Sequence, residues 1–189
     1  MFYEYLGPGS SPNTSSYRIT LKLYIDCAAS SPGQLENVIN LTIYNKETLA
    51  QVPGSPFSAP MVNEMFTRFD PNSNPCITNP PNDVCYRIRS FSTTVSLPIN
   101  AHGYAVAYQR CCRINNIINL AAPSNAVGAT YTCEIPGTNA LPEAYKNSSP
   151  QFVTNDATAI CRNSNFTLSF AAAVEPDHTD SLVYMFCSG

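Results

Sequence analysis

Apolar and polar residues alternate with a period of two along most of the chain. Tyr17, Ile19, Leu21, Leu23, Ile25 and Cys27 alternate with Arg18, Thr20, Lys22, Tyr24 and Asp26. That pattern predicts a strand with one face in a core and one in water. Ile39, Leu41 and Ile43 repeat the pattern against Asn40, Thr42 and Tyr44, and Cys85 to Leu97 is rich in aromatic and β-branched residues. Tyr104, Val106, Tyr108, Arg110 and Cys112 fall on one face of a further strand, with Ala105, Ala107, Gln109 and Cys111 on the other. Ala129, Tyr131, Cys133 and Ile135 alternate with Thr130, Thr132 and Glu134.

Turn sequences separate these runs: Gly7-Pro8-Gly9, Ser31-Pro32-Gly33, Pro53-Gly54-Ser55-Pro56, Pro71 to Pro81, and Pro136-Gly137. No segment has a clear 3.6-residue period, although Ile114 to Ala122 has room for a helical turn or two. Short strands punctuated by Pro and Gly predict an all-β protein, an antiparallel β-sandwich of immunoglobulin-like, Greek-key type. A break near Tyr145 to Pro150 divides the expectation into two units. Residues 1–146 form a disulfide-reinforced sandwich. Residues 147–189 form a second, incomplete unit with strands around Phe166–Phe170 and Leu182–Phe186. An immunoglobulin-like domain averages ~100 residues and seven strands. The second unit is therefore read as truncated, or as completed by a strand from a partner.

Composition narrows the class of function. Charged residues are 12% of the 189, the net charge is -3, and there are 16 prolines. Nucleic acid and anionic membrane surfaces both select basic patches, so neither is expected as a partner. No apolar run approaches the ~20 residues of a membrane-spanning helix, and no membrane insertion is expected. The opening Met1 to Tyr5 has no basic region followed by an apolar stretch, so no signal peptide is read there; if exported, the chain is expected to be the mature form or a recombinant piece with an added Met1.

Eight cysteines accompany only two histidines, with no CxxC pair, and Cys111 and Cys112 are adjacent. An even count at wide spacing reads as disulfides and an oxidising, extracellular location. Adjacent residues on a strand point to opposite faces, so Cys111 and Cys112 suit two partners in two layers. Cys27, Cys111, Cys112 and Cys133 are expected to form two bridges among themselves, of open connectivity. Cys76 and Cys85 flank a short loop and suit a local bridge, and Cys161 and Cys187 are paired in the second unit. A vicinal or redox-active Cys111–Cys112 pair is the competing reading.

The run Tyr17 to Tyr24 followed by Asp26-Cys27 resembles the opening of very large surface proteins of gliding bacteria of the Bacteroidetes type. Tyr108-Gln109-Arg110-Cys111-Cys112-Arg113 followed by Ile117-Ile118-Asn119 is similar to a core motif of that family. Gly128 to Tyr131 and Asn147 to Pro150 also match, in the same order. The resemblance implies a gliding-motility adhesin, exported by the type IX system, with many β-sandwich repeats and a C-terminal sorting region. It places this chain in the outermost, N-terminal part of a long fibre. It also implies a cadherin-like acidic turn in the second unit. There Glu175, Asp177 and Asp180 are candidate Ca²⁺ ligands, although the turn lacks the family's glycine and a solvated acidic turn competes. Asp180-Ser181-Leu182 resembles an O-glycan acceptor, with Ser181 as the modified residue.

No P-loop, GxGxxG, HExxH or GxSxG motif occurs, so no enzyme and no other cofactor are expected. N-glycan sequons stand at Asn13, Asn40, Asn147 and Asn165. Arg87, Arg89, Arg110 and Arg113 are placed to gather on adjacent strands. They suit either an acidic sugar or cross-strand pairing with residues such as Asp83 or Glu134. The functional expectation is an extracellular structural and adhesive module that meets surface polysaccharide, other cells, or neighbouring repeats of its own protein. The alternatives are a polymer subunit assembled by strand exchange and a carbohydrate-binding module of a secreted enzyme.

Overall fold

The computed structural model of the chain describes residues 1–30, 32–68, 85–111, 113, 120, 123–152, 165, 167, 169–173 and 182–184. Its strands are β1 (Phe2–Pro8), β2 (Thr14–Asp26), β3 (Val38–Asn45), β4 (Phe57–Arg68), β5 (Cys85–Pro98), β6 (Tyr104–Arg110), β7 (Ala129–Ile135), β8 (Gln151–Phe152) and β9 (Ala172–Ala173). The first seven form one antiparallel sheet in the order β1-β2-β5-β4-β3-β6-β7. The all-β, antiparallel expectation holds.

This order has a recognisable division. β1, β2, β5 and β4 correspond to strands A, B, E and D of an immunoglobulin-type sandwich, and β3, β6 and β7 to C, F and G. The two halves stay joined because β4 changes partner along its length. Phe57–Pro60 pair with β3, whereas Met61–Arg68 pair with β5. The change coincides with a register shift at Met61–Asn63, the kind of bulge that lets a strand turn a corner between sheets. β3 makes the matching change, with Val38–Leu41 on β4 and Thr42–Asn45 on β6.

The sheet therefore curls over a shared core. β2 contributes Tyr17, Ile19, Leu21, Leu23 and Ile25; β3 contributes Ile39, Leu41 and Ile43; β5 contributes Phe91, Val95 and Leu97. Tyr104, Val106, Tyr108 and Ile135 close it from β6 and β7. These are the apolar faces that the alternation marks. Residues such as Ile19, Leu21, Leu41, Ile43 and Val106 are fully buried, each adding roughly 1.5–3 kcal/mol of transfer free energy.

Two strands lie where the alternation shows none. In β1 the register shifts between Tyr5 and Gly7, where Gly7 takes a positive φ of 124°. In β4 the bulge, with Pro60 just before it, breaks the alternation. Both defects move side chains out of period two, and so hide the strands from a pattern search.

The edge of β1 is covered. Ser149 N donates to Tyr3 O at 2.8 Å, Tyr3 N donates to Ser149 Oγ, and Tyr5 N donates to Ser148 Oγ. Tyr17 OH donates to Tyr145 O. The segment around residues 145–149 is thus stitched onto the first strand, and it satisfies edge groups that would otherwise invite a foreign strand. Among the described residues beyond it, β8 and β9 pair over two residues each.

Candidate functional site

The end of the sandwich where β2 stops and β5 begins gathers most of the chemistry. The antiparallel register of β2 and β5 runs from Thr14 opposite Pro98 to Asp26 opposite Tyr86. One step further, Cys27 faces Cys85, with their Cα atoms 5.4 Å apart, and the two are joined. Cys27 N also donates to Cys85 O. This corrects two expectations. Cys85 does not pair with Cys76 across the short loop, because the sheet register brings a residue 58 positions away to face it. Cys27 consequently leaves the expected set of Cys27, Cys111, Cys112 and Cys133. The bridge joins neighbouring strands of one half, unlike the inter-sheet B–F bridge of antibody domains.

Cys133 leaves that set as well. It is a free thiol packed against the core on β7, opposite Val106. Burial, the largest cause, pushes its pKa up to about 11. A thiol held protonated in this way is a poor nucleophile at neutral pH. Cys111 is disulfide-bonded and exposed. Cys76, Cys112, Cys161 and Cys187 lie outside the described residues, as do Glu175, Asp177, Asp180 and Ser181.

Beside the bridge lies a cluster of charges. Arg87 and Arg89 share the inward face of β5 with Phe91, and Glu64 of β4 stands opposite Arg89 in register. Glu64 Oε1 lies 2.9 Å from Arg89 Nε and 3.8 Å from Arg87 Nη1. Arg89, only 5% exposed, donates to Glu36 O at 2.8 Å and to Asn37 Oδ1 at 3.0 Å. Arg87 donates to Cys27 O at 2.8 Å and lies over the Phe66 ring. Arg110 of β6 approaches Glu36 Oε2 at 3.6 Å and donates to Gly33 O at 2.9 Å.

Three guanidinium groups and two carboxylates thus meet around one loop, but not on adjacent strands as expected, because β4 and β3 lie between β5 and β6 in the sheet. Their partners are Glu64, Glu36 and main-chain carbonyls. Asp83 lies outside the described residues, and Glu134 pairs instead with Lys46. Arg113 donates to Gly128 O. A planar fork of donors can hold several carbonyls at once. The arginines therefore fasten the loop carrying Gly33, Glu36 and Asn37 to both halves of the sandwich through the backbone carbonyls of Gly33 and Glu36.

A second fixed point lies at the opposite end. Tyr104 opens β6 and donates its hydroxyl hydrogen to Pro98 O at 2.6 Å. This matches the tyrosine corner of immunoglobulin-type domains, in which a Tyr near the start of strand F bonds back across the E–F turn. Asn100 Oδ1 accepts from His102 N and Gly103 N, which shapes that turn. Gly103 has a φ of 78°, and a Cβ there would meet Ile135 O at 2.1 Å. A Tyr six residues after a Pro in a strand-turn-strand context is a signal the sequence carries, but its partner is visible only in the fold. Burial raises the Tyr104 pKa, with the Asn100 hydrogen bond lowering it in part.

Among the described residues, no group of three or more His, Cys, Asp or Glu side chains is placed to hold a metal. Bridge, arginine cluster and tyrosine corner together define a reinforced sandwich of immunoglobulin-type strand order. Comparison with protein-family models, curated proteins and solved structures finds no match to the chain.

Proposed function

We propose that the chain is a non-enzymatic structural and adhesive module of a large extracellular fibre, exported to the cell surface and engaged in surface adhesion or gliding. The observation that carries this reading is the Cys27–Cys85 bridge at the end of the longest ladder, thirteen registered pairs between β2 and β5. Load along the strands shears such a ladder, and the bridge keeps residues 28–84 from extending even after the hydrogen bonds part. The surface supports the same reading. Arg18, Thr20 and Lys22 alternate outward on β2, and Ser90, Ser92, Thr94 and Ser96 on β5. That face, rich in hydroxyl groups, suits contact with polysaccharide or another cell. The resemblance to gliding-motility adhesins agrees with it.

Antibody to the chain should label intact cells of the source organism, and beads coated with the oxidised chain should adhere to those cells or to their polysaccharide. Labelling only after permeabilisation, or adhesion no better than that of albumin-coated beads, overturns the proposal. A polymer subunit assembled by strand exchange is the second reading. Phe152 of β8 and the nearby Phe170, both exposed and in edge contact, favour it, and concentration-dependent filaments would establish it.

A further inference from the structure

The outer face of the β1-β2-β5-β4 half carries a pattern that the core does not use. Tyr24 of β2 stands beside Ile88 of β5, and Ile88 beside Met65 of β4, in one row across three strands. Tyr24 and Met65 are 54% and 56% exposed. Two residues to one side the row reads Lys22, Ser90, Asn63; two residues to the other it reads Asp26, Tyr86, Thr67. Lys22 and Asp26 are exposed, and neither is in a salt bridge among the described residues. Lys22 Nζ lies 5.6 Å from the centre of the Phe2 ring, which fixes its side chain over the same face.

We infer that this face binds a second copy of the same chain, sheet against sheet. A two-fold axis along the Tyr24–Ile88–Met65 row brings the row onto its own copy. The same rotation carries Lys22 of one protomer over Asp26 of its partner, and the reverse. Each charge sits two residues, roughly 6.8 Å along the strand, from the axis. Two equivalent ion pairs therefore flank one apolar stripe, the self-complementarity that a two-fold interface requires. A two-fold along β2 instead, with the facing strands parallel, would set Lys22 against Lys22 and Asp26 against Asp26. Charge complementarity thus selects both the occupant and its orientation. The patch is about three strands wide, at the small end of specific interfaces, so the dimer dissociates readily on dilution.

The inference uses part of the same outer face as the adhesive reading without resting on that reading, and sedimentation equilibrium of the oxidised full chain tests it. The wild-type protein forms a dimer at high concentration. Lys22→Asp and Asp26→Lys each introduce two like-charge contacts and raise the dimer dissociation constant about tenfold or more. An equimolar mixture of the two variants restores association, because each then meets its opposite. Asp26 also accepts a hydrogen bond from Ala28 N at 2.8 Å. Asp26→Asn keeps that acceptor, loses the charge, and weakens the dimer less than Asp26→Lys does. Wild-type protein that stays monomeric into the millimolar range overturns the inference. So does a mixture that associates no better than the separate variants.

Discussion

Replacing Cys27 and Cys85 together by alanine tests both the fold and the register that joins them. The bridge spans 58 residues, and loop-closure entropy for that separation corresponds to about 4 kcal/mol at room temperature. Had Cys85 paired with Cys76, the nine-residue separation would correspond to only about 2.6 kcal/mol. Both bridged cysteines are half-buried, so truncation to alanine adds little packing loss. With a urea m-value of about 2–3 kcal/mol/M, a loss of about 4 kcal/mol lowers the unfolding midpoint by about 1.3–2 M. Urea unfolding followed by circular dichroism measures that shift. Non-reducing peptide mapping of the wild-type chain measures the connectivity directly. A peptide linking Cys76 to Cys85, or a midpoint that moves by less than about 0.5 M, would refute the reasoning.

Three further outcomes are expected. Tyr104→Phe removes the hydroxyl that bonds Pro98 O inside the sandwich and costs about 1–2 kcal/mol in urea unfolding, whereas Tyr131→Phe on the exposed side of β7 changes stability by less than about 0.5 kcal/mol. Burial, first among the causes, raises the Tyr17 pKa from 10.0 to about 12; a folded pKa above the unfolded one means a contribution complete below pH 10 and lost as pH rises toward 12. Urea midpoints measured across that range should therefore fall, and fall less in Tyr17→Phe; an equal fall in both proteins would exclude Tyr17 as a source. Gly103→Ala places a Cβ against Ile135 O at a residue with φ of 78° and should lower stability by about 2 kcal/mol or more, read as a drop in thermal midpoint.

The corrected bridge shows why connectivity was hard to read from spacing. Loop-closure cost grows only with the logarithm of length, so closing 58 residues rather than nine differs by less than about 2 kcal/mol. Proximity along the chain is therefore weak guidance, and strand register decides. The arginines illustrate a different limit. Arg87 and Arg89 fall in the period of Phe91, but their partner Glu64 lies on β4, the strand whose alternation is broken by its bulge.

By itself, the sequence determined the elements that rest on local periodicity. The buried faces of β2, β3 and β6, the all-β class and the turns between strands were all legible there, because side-chain direction alternates residue by residue. Only the tertiary structure decided which strands are neighbours. Through that choice it set the Cys27–Cys85 bridge, the free thiol at Cys133, the Glu64 and Glu36 partners of the arginines, and the Tyr104 corner. The physical reason is range. Alternation is written in adjacent residues, whereas strand order and register come from packing two apolar faces together over tens of residues, and no local pattern encodes that choice.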